Sequence, residues 1–155
     1  IVLKRKIILL AGPTASGKTK IAIKLAQRIN GEIINTDSMQ VFKDFQILTS
    51  RPNKKELKAA KHHLYGFQSS GAVFSTGVWL KLAENKIRQI IKKGKTPLLV
   101  GGTGLYFKAI TDGISKIPNI KSSDRNKIRN LHKKIGQKKF YEKLINLDPI
   151  SKNKI

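Results

Sequence analysis

The chain opens on an apolar run, Lys6 to Ala11, of the kind a parallel strand buried on both faces shows. A glycine loop follows at once. The next segment, about Lys18 to Asn30, has Ile21, Ala22, Leu25 and Ile29 at helical spacing, with Gly31 as its stop. Glu32 to Thr36 reads as a second strand that delivers Asp37 and Ser38 at its carboxyl end. From Phe45 to about Gly77 periodicity is weak, and we expect a surface excursion with one short helix near Lys54 to Ala60. A clearer helix spans about Thr76 to Lys93, with Trp79, Leu82, Ala83, Ile87, Ile90 and Ile91 on one side and Gly94 ending it. Pro97 to Val100 is the third strand. It runs into Gly101-Gly102-Thr103-Gly104, and a short helix continues from Leu105 to about Ile110. From Ser123 the pattern predicts two lysine-rich amphipathic helices broken near Gly136.

Strands alternating with helices predict an α/β fold, a parallel sheet with right-handed crossovers. Three strands are few for such a sheet. The chain also starts at Ile1 rather than Met and stops at Ile155 in a helix-like stretch without a cap, the pattern of an incomplete chain. Ligands in open α/β sheets sit beyond the carboxyl ends of the strands. All three ends here carry unusual residues: the glycine loop, Asp37-Ser38, and Gly101 to Gly104.

Composition adds exclusions. There are no cysteines, hence no disulfides or thiolate chemistry. No apolar run approaches bilayer length, and no signal peptide is read, so a cytoplasmic, non-membrane protein is expected. The 32 Lys+Arg against 9 Asp+Glu give a net charge of +23. Such a field attracts nucleic acid or an anionic substrate. The preference for Lys, with abundant Ile and Asn, is equally what an AT-rich genome produces.

The loop Gly12-Pro13-Thr14-Ala15-Ser16-Gly17-Lys18-Thr19 is a phosphate-binding P-loop, set between a strand and a helix as that motif requires. Gly12 and Gly17 permit a backbone whose N–H groups turn inward around an anion, and the helix dipole adds positive potential. Lys18 supplies a mobile cation, and the Thr19 hydroxyl suits a phosphate-bound Mg²⁺. Taken alone, the loop suggests ATP binding, yet the third strand ends in glycines rather than the carboxylate many such enzymes use for magnesium. The nearest strand-end acid is Asp37. It can accept a proton or hold a metal, or it can cap a helix; Ser38 is the better cap. Gly101 to Gly104 fits a close backbone approach or a tight turn. His62 and His63 lack further metal ligands at recognised spacing and read as structural or substrate-lining. Trp79 and Phe107 read as core.

GPTASGKT at Gly12–Thr19, INTDSMQVF at Ile34–Phe42, HHL at His62–Leu64 and LVGGTGLYFKA at Leu99–Ala109 together closely resemble the tRNA dimethylallyltransferases, the isopentenyl-diphosphate:tRNA transferases. The closing Leu147-Asp148-Pro149-Ile150 also matches, and the resemblance covers essentially the whole chain. Phe42 stands where the family has Tyr, Ser50-Arg51-Pro52 where a Lys-Pro pair is common, and Lys121 where an acid is usual.

The resemblance implies a P-loop NTPase-like core over residues 1–118 and the beginning of a helical tRNA-binding insertion over 119–155. It implies transfer of a dimethylallyl group from dimethylallyl diphosphate to N6 of the adenosine beside the tRNA anticodon. Gly12 to Thr19 would hold the diphosphate, with Lys18 and a Thr19-bound Mg²⁺ neutralising it. Asp37 would be the base, and Asp37, Ser38, Met39, Gln40, Thr103 and Arg125 would contact the tRNA anticodon stem-loop; the full-length enzyme would be a monomer. Related adenylate isopentenyltransferases act on a free nucleotide; a P-loop small-molecule kinase and a non-catalytic binding fragment are the remaining readings.

Overall fold

In the computed structural model, residues 6–115 and 120–153 are described. The elements run β1 (Ile8–Ala11), α1 (Lys18–Arg28), β2 (Gly31–Asn35), α2 (Lys54–Ala59), β3 (His62–His63), α3 (Thr76–Lys92), β4 (Thr96–Gly101), α4 (Gly104–Asp112) and α5 (Ser122–Leu147), with a 3-10 turn at Pro149–Asn153. The four strands form one parallel sheet in the order β1-β4-β2-β3. The chain divides into two compact units, Ile1–Ile114 and Ser115–Ile155. The boundary expected between 118 and 119 falls outside the described residues.

Consecutive strand residues point to opposite faces, which explains why Ile33 and Ile34 of β2 and Leu98, Leu99 and Val100 of β4 are all apolar. Ile33, Leu98 and Val100 pack with Ala22, Ile23 and Ala26 of α1. Ile34 and Leu99 pack on the other face with Trp79, Ala83, Ile87 and Ile90 of α3 and Tyr106 of α4. Helices on both faces of a parallel sheet are the α/β architecture expected.

Four expectations change. Strand β1 lies at the sheet edge, with Ile7 44% and Leu9 42% exposed, so it is not buried on both faces. The buried face of α1 is Ala22, Ile23 and Ala26, while Ile21 is exposed. A Cβ on Gly31 would stand 3.0 Å from the Thr96 carbonyl oxygen and 3.2 Å from Ile29 Cγ1, so this entry to β2 is tight. Gly31 begins β2, and the left-handed residue after α1 is Asn30 (φ 49°).

The segment after Phe45 is largely exposed and carries the expected short helix. It contains α2, closed by a capping box between Asn53 and Glu56, and the unpredicted edge strand β3. Backbone N–H groups of Phe67 and Gln68 bond the buried Val41 carbonyl, and Arg51 Nη1 donates to the Phe42 carbonyl at 2.9 Å.

β3 is only two residues long, and a buried polar cluster holds it. Glu32, 1% exposed, accepts from Lys95 Nζ at 2.9 Å and meets His63 Nε2 at 2.6 Å. Burial alone would raise the Glu32 carboxyl, but hydrogen bonds from Lys95 and His63 and their charges outweigh it and hold it at about 2. His63 is therefore structural, while His62 stands outside the cluster with its Nδ1 2.8 Å from the Ala60 carbonyl.

In the second unit α5 breaks at Gly136 (φ 77°, ψ 167°), as the sequence pattern predicts, with His132 and Phe140 in edge contact at 4.9 Å. It has no buried residue, and Ile128, Leu144 and Leu147 remain exposed, so its apolar positions do not form a packed face.

Candidate active site

Parallel pairing aligns the carboxyl ends of β1, β4 and β2, and the three loops leaving them meet. Gly12 N–H donates to the Gly101 carbonyl at 3.3 Å, and Thr36 N–H to that of Val100 at 2.8 Å. Gly101 is required by this approach: a Cβ there would lie 2.1 Å from the Thr36 carbonyl oxygen. The glycines after β4 thus serve close contact between strand ends.

Within the P-loop the left-handed residues are Ala15 (φ 63°) and Gly17 (φ 79°), not Gly12. Gly12 instead leaves room for the Lys18 stem and the Ser16 hydroxyl, 3.5 and 3.4 Å from where its Cβ would be. A non-glycine residue in that region costs about 1–3 kcal/mol and marks functional loops. Gly17 precedes α1 without a side-chain cap, so the first N–H groups of the helix stay directed at the loop. Lys18 Nζ folds back onto the Pro13 carbonyl and lies 3.4 Å from Ser16 Oγ.

Asp37 is held in a turn rather than at a helix start. Its Oδ1 accepts the Met39 N–H at 2.9 Å, while Asn35 Oδ1 accepts the Asp37 N–H and Asn35 Nδ2 donates to the Asp37 carbonyl, each at 2.9 Å. No helix follows residues 37–38, so neither Asp37 nor Ser38 caps one. Ser38 is tied instead to the residue preceding α4: its N–H donates to Thr103 Oγ1 at 2.9 Å, and the two hydroxyls lie 3.2 Å apart. Gln40 Nε2 donates to the carbonyls of Thr49 and Ser50 at 2.8 and 3.3 Å, which fixes the following loop. Met39 is exposed.

These loops enclose a cavity of about 280 Å³. Thr14 through Lys20, Asp37 and Gln40 line it, so the structure brings the expected P-loop, base and one further candidate together. Gly12, Pro13, Ser38, Met39 and Thr103 do not line it. Arg125 is an exposed residue of α5 in the other unit.

The lining also takes in residues that the sequence did not assign to the site: Lys20, Ser50, Glu56, Tyr65, Val100 and Gly101. Glu56 is the acid of the α2 capping box, its Oε2 accepting the Asn53 N–H at 2.8 Å. Tyr65 follows β3, and its ring meets that of His62 edge-on at 5.4 Å. Burial pushes the Tyr65 phenol up, and the Asp37 charge adds to it. The same two causes raise Tyr106, which stacks on Trp79 at 4.1 Å. Two neutral phenols therefore accompany Asp37 at physiological pH. No signal short of the fold identifies Tyr65, because an edge strand of two residues leaves no periodicity.

Magnesium keeps several waters and takes one or two protein carboxylates plus substrate phosphates. The Thr19 hydroxyl and the carboxylates of Asp37 and Glu56 line one cavity, donors of the kind that habit calls on. No helix among the described residues is long and apolar enough to cross a membrane.

The sequence profile of the IPP transferase family matches residues 40–155. A tRNA dimethylallyltransferase of Pelagibacter ubique (strain HTCC1062) is 60% identical over 149 residues, covering 96% of this chain and 48% of that protein. One from Rickettsia massiliae (strain Mtu5) is 47% identical, covering 98% and 42%. Among solved structures, the tRNA isopentenylpyrophosphate transferase of Bacillus halodurans superposes with a TM-score of 0.71 at 34% identity, covering 98% of this chain and 50% of that one. A eukaryotic dimethylallyltransferase acting on tRNA gives 0.79 at 29% identity, covering 94% and 36%. The chain spans about half the length of the curated relatives it matches.

Proposed function

The chain belongs to the IPP transferase family, and from that premise we propose that it forms the P-loop part of a cytoplasmic, monomeric enzyme that prenylates tRNA. The reaction transfers a dimethylallyl group from dimethylallyl diphosphate to N6 of the adenosine beside the anticodon. The observation that carries this reading is one cavity lined by both an anion-cradling loop and the strand-end acid Asp37.

The diphosphate lies against the N–H groups from Thr14 to Thr19 and the start of α1, where helix dipole and backbone favour negative charge. Lys18, now resting on the Pro13 carbonyl and near Ser16, swings to the diphosphate oxygens. Thr19 would hold Mg²⁺, which when bound would supply positive charge to the departing diphosphate.

An exocyclic adenine amine is a poor nucleophile, its lone pair delocalised into the ring. The new N6–C bond forms as the allylic C–O bond breaks, and the amine proton passes to Asp37. Its Oδ1 already accepts the Met39 N–H, so Oδ2 is the oxygen left to take that proton. The target base must leave the anticodon stack to reach the cavity. Ser38, Met39, Gln40 and Thr103 flank its path, and Arg125 and the lysines of α5 meet backbone phosphates.

Incubating the intact protein with dimethylallyl diphosphate and an anticodon stem-loop tests this. The RNA should gain one dimethylallyl unit. RNA of unchanged mass would refute it, with transfer to free adenylate pointing to a nucleotide prenyltransferase and phosphate transfer from ATP to a kinase.

A further inference from the structure

Asn35 ends β2 and is completely buried. Its side chain holds two separate pieces of backbone. Oδ1 accepts the Asp37 N–H at 2.9 Å, while Nδ2 donates to the Asp37 carbonyl at 2.9 Å and the Leu64 carbonyl at 3.0 Å. Its own carbonyl accepts the indole N–H of the buried Trp79 at 2.9 Å, which fixes the peptide from the opposite side.

Only an amide side chain both accepts and donates in this way. A carboxylate of the same size would keep one oxygen on the Asp37 N–H but turn the other, an acceptor, toward both carbonyl oxygens, and a hydroxyl could reach fewer partners. Leu64 sits in the left-handed region at φ 63°, a conformation that surrounding bonds must maintain. The next residue is Tyr65, which lines the cavity with Asp37.

We propose that Asn35 is a positioning residue, whose amide locks the Asp37 peptide and the Leu64–Tyr65 turn into a single frame. Through it the carboxylate and the phenol reach the substrate in fixed register. What Asp37 then does rests on the transferase reading; the locking does not.

The test compares Asn35→Ala, Asn35→Asp and Asn35→Ser in the intact protein. Amide hydrogen exchange in segments 36–40 and 64–68 should accelerate together by at least about 10-fold, with α1 and β4 still protected. Turnover should fall about 10²-fold, because misplacement by an ångström costs that much. KM for dimethylallyl diphosphate and affinity for inorganic diphosphate should change less than about threefold. Asn35→Ser, which retains a hydroxyl, should fall between wild type and Ala, and it decides the matter if Ala does not fold.

Unchanged or independent exchange in the two segments would overturn the proposal, as would diphosphate affinity falling in step with turnover. If the wild type transfers no allyl group, the transferase reading fails, and the exchange and diphosphate measurements still decide the role of Asn35.

Discussion

Replacing Glu32 with Gln is the sharpest probe of the buried cluster at the amino-terminal end of β2. Glu32 lies between Lys95 Nζ and His63 Nε2 at 2.9 and 2.6 Å. Its carboxyl is held at about 2 against an ordinary 4.5. At about 1.4 kcal/mol for each tenfold change in proton affinity, this difference is worth ~3 kcal/mol near neutrality. The sign follows from proton uptake. Below 4.5 the unfolded chain protonates Glu32 while the folded chain does not, so stability drains as pH falls from 4.5 toward 2.

Gln imitates the protonated form. Urea unfolding should therefore show Glu32→Gln about 2–3 kcal/mol less stable at pH 7, with the gap closing between pH 4.5 and 2. Burial pushes the His63 imidazole down, so a separate loss begins below its ordinary 6.5, where only the unfolded chain takes up the proton. Equal stability of variant and wild type at pH 7, or a gap that persists at pH 2, would refute the reasoning.

Other perturbations test the site. Asp37→Ala should abolish detectable transfer, a loss of about 10²–10⁴-fold for a general base, while diphosphate binding measured by calorimetry persists. Equal loss of both would assign Asp37 to the metal or to folding. Lys18→Ala should weaken diphosphate binding, by about 10²-fold if its charge-assisted contacts are worth ~3 kcal/mol; unchanged affinity would place Lys18 outside the anion site. Gly101→Ala must displace the Thr36 backbone and should lower stability by about 1–3 kcal/mol in thermal unfolding, with transfer impaired as well. Trp79→Phe leaves the Asn35 carbonyl without its indole donor and should cost about 1–3 kcal/mol.

What could be read from the sequence was whatever local chemistry dictates. The apolar runs of β2 and β4 announce strands because both faces are covered, Ile33 by α1 and Ile34 by α3. The P-loop is legible because its strand, glycines and helix are contiguous, and Gly136 interrupts a helix wherever it occurs. The face of α1 was misread because helical spacing admits more than one stripe, and the sheet takes the one carrying Ala22, Ile23 and Ala26 rather than Ile21. β3 was invisible, since its partner lies about thirty residues away and Glu32 holds it across that distance. Tyr65 was missed for the same reason, as its place depends on a strand that periodicity cannot reveal.

The polar residues of β2 supply the link that hydrophobic patterning lacks. Glu32 grips His63, and Asn35 grips Leu64, the next residue along. Two consecutive residues of the edge segment are thus held from opposite ends of one central strand, and Tyr65 follows directly. Leu64 between them occupies a left-handed conformation, which the surrounding structure has to hold. The acid-sensitive cluster and the site are therefore mechanically joined. Protonating Glu32 should loosen the segment carrying Tyr65, while Asp37, fixed by Asn35 and Met39, keeps its place until β2 itself opens.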